Sequence, residues 1–318
     1  MRPRVRLGQS ALEVAPLGVG CWAWGDREYW LYEVGHGPRD VVDAFDASVE
    51  AGLDLFDTAE AYGWGRSEKI LGALARRSGT APVIATKYAP LAGRGGAAAI
   101  PRALAGSLKR LGLPRLDLYQ LHWADTAELP IAAAMEALAD AVEAGKIRAV
   151  GVSNFSAAEM RAAYSALERR GVPLATNQVR YSLLHRTPEE DGVLDACRAQ
   201  GVTLLAYSAL DQGLLTGKYA PGVLPAGERA ATARFAPDNV AAAQPVIAML
   251  RTIADAHGVD VAAVALAWLL AKPGVVPLAG AKTGTQAARN AQALDVRLSD
   301  AEVEQLDTAT DAWRGAQT

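Results

Sequence analysis

Four side chains have the types and spacing for proton chemistry beside a buried charge: Asp57, Tyr62, Lys87 and His122. Asp57 closes the apolar run 53–57, Lys87 closes 83–87, and His122 closes 116–122. A lysine at the end of a buried strand is costly unless it is paired, and Asp57 on the neighbouring strand is its natural partner. Tyr62 follows Asp57 in a glycine-containing loop, within reach of the same place. A nearby ammonium favours phenolate over phenol, so Lys87 is expected to pull the Tyr62 pKa below its usual ~10 and make it a general acid near neutral pH. His122 is suited to orienting a substrate oxygen by hydrogen bonding.

The apolar runs that carry these residues form a series. Eight stretches read as buried strands: residues 17–22, 53–57, 83–87, 116–122, 147–153, 174–179, 203–208 and 275–279. Amphipathic stretches at 41–51, 67–77, 131–144, 157–170 and 192–200 lie between them, and Gly52, Gly145, Gly171 and Gly201 supply helix stops. Eight strand–helix units make an α/β chain of the (β/α)8 TIM-barrel class. An open doubly wound sheet normally has fewer strands and a G-x-G-x-x-G turn, and Gly18-Val19-Gly20 lacks the third glycine. Residues 4–7 and 12–14 read as an N-terminal β-hairpin, and Ser299 with Glu302 opens an extra C-terminal helix. No Pro/Ser-rich linker divides the chain, so residues 1–318 are expected to form a single domain with elaborated βα loops at 24–38, 93–97 and 211–244. Barrel active sites stand at the carboxyl ends of strands, where Ser153, Asn154, Gln178, Tyr207 and Ser208 join the four residues above.

The segments FDTAEAYGWGRSE (56–68), ATKY (85–88), DLYQLHW (117–123), VGVSNFS (150–156), TNQVRYS (176–182), AYSAL (206–210), LLTGKY (214–219) and LAGAKTGTQAARNAQAL (278–294) follow one another at these strand ends. In that order they resemble the aldo-keto reductase superfamily, NADPH-dependent (β/α)8-barrel enzymes, from Leu17 to the final helix. The resemblance implies a catalytic tetrad of Asp57, Tyr62, Lys87 and His122 for reduction of aldehydes and ketones, with Tyr62 protonating the carbonyl oxygen as hydride arrives from the nicotinamide. It implies that Ser153, Asn154 and Gln178 hold the nicotinamide carboxamide and that Tyr207 stacks on the ring, with Gly20, Cys21 and Trp22 alongside. Ser208, Leu210, Gly213, Leu215 and Lys218 match a pyrophosphate-binding loop, and Arg229 matches a basic clamp. Gly280, Ala281, Lys282, Thr283, Gln286 and Asn290 match the adenosine-phosphate site, with Lys282 on the 2′-phosphate. A helix opening near Thr283 would add its N-terminal amides. The chain departs from the family pattern at Ala279, where Pro is usual, at Cys21, where Thr is frequent, and at Arg289, where an acidic residue is common. Arg289 adds positive charge near a 2′-phosphate, so NADPH is expected over NADH.

The 318 residues carry a formal net charge of −3 without a dense basic block, which excludes an electrostatic footprint for nucleic acid or an anionic membrane. A small-molecule carbonyl substrate is the expected partner, with the chain a monomer or weak homo-oligomer. The most apolar run, 261–271, is too short to cross a bilayer, and the N-terminal stretch lacks the apolar core of a signal peptide, so a cytoplasmic location is expected. Cys21 and Cys197 form no disulfide framework and no metal cluster, so no metal is expected. Trp22, Trp64, Tyr88 and Trp123 are expected to rim a pocket suited to small or aromatic aldehydes. Two further readings remain at this stage: a Schiff-base aldolase with Lys87 as nucleophile, and an NADP(H)-binding redox-sensing regulatory subunit with little turnover.

Overall fold

Apolar runs become strands here because each strand separates two apolar surroundings, the inside of a barrel and the layer beneath the helices. In a computed structural model that describes residues 4–91, 93–94, 96–124 and 128–315, β1 (Val5–Arg6) and β2 (Glu13–Val14) form an antiparallel hairpin. Both ends of the expected 1–318 domain and residue 95 of the expected 93–97 loop lie outside the described residues. The remaining strands are β3 (Gly18–Gly20), β4 (Leu55–Asp57), β5 (Val83–Tyr88), β6 (Leu116–Leu121), β7 (Ile147–Ser153), β8 (Leu174–Arg180), β9 (Thr203–Tyr207) and β10 (Val275–Gly280). They pair in parallel in chain order, and β10 closes onto β3, so the chain forms the expected closed (β/α)8 barrel.

Two apolar clusters follow from strand alternation. Leu55, Ala85, Leu118, Ala149, Ala175, Leu205, Val276 and Leu278 fill the lower barrel, and Leu7, Leu12 and Val14 of the hairpin join them as a floor. Gly8 lets the hairpin approach: its φ is +55°, and a Cβ there would lie 2.5 Å from the Ala175 carbonyl oxygen. The second cluster lies between strands and helices and includes Phe45, Phe56, Tyr88, Tyr119 and Trp268. Helix Val261–Leu270 is apolar on all sides because it is buried between helix Gln244–His257 and β10. Among the described residues no single helix is long and apolar enough to cross a membrane.

The structure adjusts several expected boundaries. Strand 17–22 contracts to Gly18–Gly20, because Cys21 and Trp22 leave the sheet for the loop above it. The first barrel helix begins at Pro38 rather than 41, with the Asp40 carboxylate accepting from the Gly37 N–H. The helix expected between the strands of Lys87 and His122 occupies Ile100–Leu111, and 211–244 is built of 3-10 turns and the short helix Pro237–Ala242. Ser299 and Glu302 do form the expected box, with reciprocal backbone bonds of 2.7 and 3.3 Å.

The floor sets a stability expectation. Leu12→Ala should cost about 2–5 kcal/mol in denaturant unfolding while leaving ligand binding at the opposite end unchanged. A loss below about 1 kcal/mol would show that the hairpin is not part of the barrel core.

Candidate active site

Inward-facing positions near the top of the barrel change from apolar to polar. Lys87 pairs in register with Gln120, Gln120 with Gly151, and Gly151 with Thr176, so one layer crosses four adjacent strands. Lys87 is fully buried, and an ammonium has three N–H donors to place. All three are used: on Asp57 Oδ1 at 2.5 Å, on the Thr58 carbonyl oxygen at 2.9 Å and on Tyr62 Oη at 3.3 Å. Burial works against the charged form, and Asp57 and Tyr62 outweigh it, leaving the Lys87 pKa above its ordinary value. A charged lysine with every proton placed is not a Schiff-base nucleophile, so the aldolase reading has no support in this geometry.

Tyr62 is brought over Lys87 by the turn Tyr62–Gly65, in which Gly63, Trp64 and Gly65 have φ of 53°, 57° and 82°. A Cβ at Gly63 would lie 2.4 Å from the Gly25 carbonyl oxygen, so the close loop contact requires glycine. The Lys87 ammonium also lies 4.9 Å from the Tyr62 ring centroid. The expected downward pKa shift is corrected here. Burial raises the Tyr62 pKa, Lys87 lowers it, and the net direction is upward. Tyr62 is therefore a phenol that holds its proton at neutral pH, and Lys87 offsets part of the cost of losing it.

His122 is buried, with its ring 5.8 Å from that of Tyr62 and stacked on Trp123 at 3.8 Å. Burial, then the Lys87 charge, push its pKa down to about 2, so it is a neutral imidazole. Asn154 sits beside it in a left-handed conformation, donating to the His122 carbonyl oxygen at 3.0 Å and accepting from Tyr207 Oη at 2.9 Å. Ser153 is buried, and its hydroxyl donates to the Gln178 carbonyl oxygen at 2.8 Å.

A cleft runs outward from Tyr62. Its walls include the tetrad residue Asp57 and Gly20, Cys21, Trp22, Gln178, Tyr207, Ser208, Leu210, Gly213, Lys218, Arg229, Gly280, Lys282, Gln286 and Asn290, the latter all expected at a nucleotide site. Three loops meet at Trp30. Lys282 donates to its carbonyl oxygen at 2.9 Å, and the Lys282 and Arg229 cations lie 5.0 and 4.7 Å from its ring centroid. Tyr29 Oη donates to Gln212 Oε1 at 2.6 Å, tying the loop after β3 to the loop after β9. Burial first, then Arg229 and Lys218, lower the Lys282 pKa to about 8. Cations crowded in this way, with the Arg229 Nε and Trp30 Nε1 N–H groups buried and unpartnered among the described residues, fit a phosphate-bearing ligand. All seven non-glycine residues with left-handed φ among the described residues (Leu31, Glu33, Trp64, Asn154, Ser208, Asp211 and Gln212) lie in the loops above the strands. Stored backbone strain is thus concentrated around this cleft.

Of the other expected positions, one is turned away from the cleft and the rest line it, rim it or pack beside it. Tyr88 does not rim the pocket: strand alternation that turns Lys87 inward turns Tyr88 outward, where it is buried under Arg94 with the guanidinium 4.9 Å from its ring. Leu215 is buried in the outer core with its amide given to the Leu210 carbonyl oxygen. Ala281 is buried likewise, its carbonyl oxygen accepting from Trp24 Nε1 at 2.8 Å. Thr283 caps helix Gly284–Ala291, and its hydroxyl is used by the Gln286 N–H. Trp22 stacks between Tyr29 and Tyr62 at 5.0 and 5.7 Å, whereas Trp64 and Trp123 are exposed on the rim. Gln212, Thr216 and Asp260 line the cleft without having been anticipated, Asp260 lying 3.5 Å from Arg289. Gln120 was also missed, although an amide two residues before His122 in an apolar strand is a readable signal.

The chain belongs to the aldo/keto reductase family, whose model matches residues 16–311. That family comprises oxidoreductases that act on small carbonyl compounds with a nicotinamide cofactor. The chain is 34% identical to the chloroplastic pyridoxal reductase of Arabidopsis thaliana, over 96% of this chain and 86% of that protein. It is 30% identical to the NADH-specific methylglyoxal reductase of Escherichia coli, over 94% and 95%. Among solved structures, the aldo-keto reductase of Klebsiella pneumoniae in complex with NADPH superposes with a TM-score of 0.75 at 31% identity, covering 97% of this chain and 95% of that one.

The neutral state of His122 can be checked directly. Its ring signals in heteronuclear NMR should stay constant between about pH 5 and 8, and a titration near the ordinary value of about 6.5 would contradict the burial argument.

Proposed function

We propose that the protein reduces aldehydes or ketones to alcohols with NADPH, Tyr62 donating the proton. The observation that carries this reading is the Tyr62 hydroxyl 3.3 Å from a fully engaged, buried Lys87 at the inner end of a cleft whose outer part is cationic. Lys218, Arg229 and Lys282 would hold the phosphates, Tyr207 and Gln178 the nicotinamide end. Bound NADPH would supply hydride to the carbonyl carbon.

The residues of the chain do the rest. Tyr62 Oη donates its proton to the carbonyl oxygen, and the phenolate left behind is held by the Lys87 ammonium, which Asp57 and the Thr58 carbonyl oxygen keep in place. Neutral His122 orients the carbonyl by hydrogen bonding. Trp22, with its ring near that of Tyr62, and the rim residues Trp64 and Trp123 favour a planar or aromatic aldehyde. Pyridoxal, methylglyoxal and a nitrobenzaldehyde are the compounds to test first.

Tyr62→Phe should lower turnover about 10²–10⁴-fold while leaving NADPH affinity nearly intact. Unchanged turnover would remove Tyr62 as the acid, and tight NADPH binding without turnover by the wild type would favour a redox-sensing role. Lys282→Ala should weaken NADPH by about tenfold or more and NADH far less, and equal losses would refute its 2′-phosphate role. Because the Lys282 pKa is lowered to about 8 in the free cleft and a phosphate would raise it, NADPH binding just above that pH should take up a proton. Calorimetry in buffers of different ionisation heat measures this uptake, which Lys282→Ala should abolish.

A further inference from the structure

Below the tetrad lies a polar network that none of its members forms alone. Asp57 Oδ1 is taken by Lys87, and its Oδ2 accepts from Gln120 Nε2 at 3.1 Å and from Gln178 Nε2 at 2.9 Å. A carboxylate only accepts, so both amides must turn their nitrogens toward it. The second Gln178 N–H then faces Gln120 Oε1 at 3.3 Å, which Thr176 Oγ1 also approaches at 3.4 Å. With both hydrogens of Gln178 Nε2 used inside the barrel, its carbonyl Oε1 is what remains for a ligand in the cleft that Gln178 lines. Room for this arrangement comes from Gly151, where a Cβ would lie 2.2 Å from Thr176 Oγ1 and 2.9 Å from Gln120 Cγ.

We propose that Gln120 is a positioning residue for carbonyl reduction, which donates to Asp57 and accepts from Gln178 and so joins the support of the proton donor to the presentation of the nicotinamide-facing amide. Gln120 is fully buried and does not line the cleft, so it acts only through these two partners. An apolar side chain of the same size would leave Asp57 Oδ2 with one donor fewer and Gln178 Nε2 with a buried, unpartnered N–H. The inference rests on the reductase reading above.

The test compares Gln120→Leu and Gln120→Glu with the wild type, reading turnover and, independently of turnover, NADP+ affinity by tryptophan fluorescence across pH. Gln120→Leu should lower kcat about tenfold and weaken NADP+ about fivefold, with substrate KM unchanged. In Gln120→Glu the introduced carboxyl donates to Asp57 only while protonated, and the adjacent carboxylate makes it hold its proton to higher pH. That variant should match the wild type at the acid end of the range and fall about tenfold relative to it at the alkaline end. Equal turnover and NADP+ affinity in all three proteins would overturn the proposal, as would a Gln120→Glu defect that does not recover in acid, which marks a merely structural role. If Gln120→Leu does not fold, the pH profile of Gln120→Glu decides alone. A wild type that reduces no carbonyl compound would instead overturn the reductase reading, while NADP+ affinity in the two variants would still report on Gln120.

Discussion

The site depends on one constraint, the burial of the Lys87 ammonium inside a barrel. A charge in that position is tolerated only if its protons are placed, and three fixed acceptors from the end of β4 and the loop after it place them. Each acceptor then acquires a duty. Asp57 must be a carboxylate at the end of β4, Thr58 must offer its carbonyl oxygen, and Tyr62 must be turned back by a run of left-handed residues to reach the ammonium. The polar layer continues around the barrel through Gln120, Thr176 and Gln178, so the inner core changes from apolar floor to polar ceiling across the height of a few residues.

Above that ceiling the architecture is made of loops, and their strain is organised. The loop after β3 reaches over the cleft to the loop after β9, and Trp30 receives cations from two other segments. Burial, and then the neighbouring charges of Arg229 and Lys218, lower the Lys282 pKa, an arrangement that a bound anion would relieve.

Much of this could be read from the residues. Short apolar runs closing on Asp57, Lys87 and His122 marked both the strands and the site, because a barrel forces polar groups to the strand ends. Period-two alternation would also have excluded Tyr88 from the pocket, since it follows the inward Lys87 directly. Matching a segment to a family pattern does not say which atoms of Leu215, Ala281 and Thr283 are already used, and that depends on loop packing visible only in three dimensions. The sign of the Tyr62 shift was likewise out of reach. Lys87 predicts a fall, burial a rise, and only the folded environment decides between them.

The most direct test of the account is the ionisation of Tyr62 itself, taken as the difference in tyrosinate absorbance between otherwise identical proteins with and without Tyr62→Phe, in the wild-type and Lys87→Met backgrounds. If Lys87 offsets the cost of the phenolate, Tyr62 should ionise above its ordinary value of about 10 in the wild type and higher still without the lysine. An ionisation below that value in the wild type, or one that Lys87→Met leaves unmoved, would contradict the claim that this buried ammonium governs the proton donor.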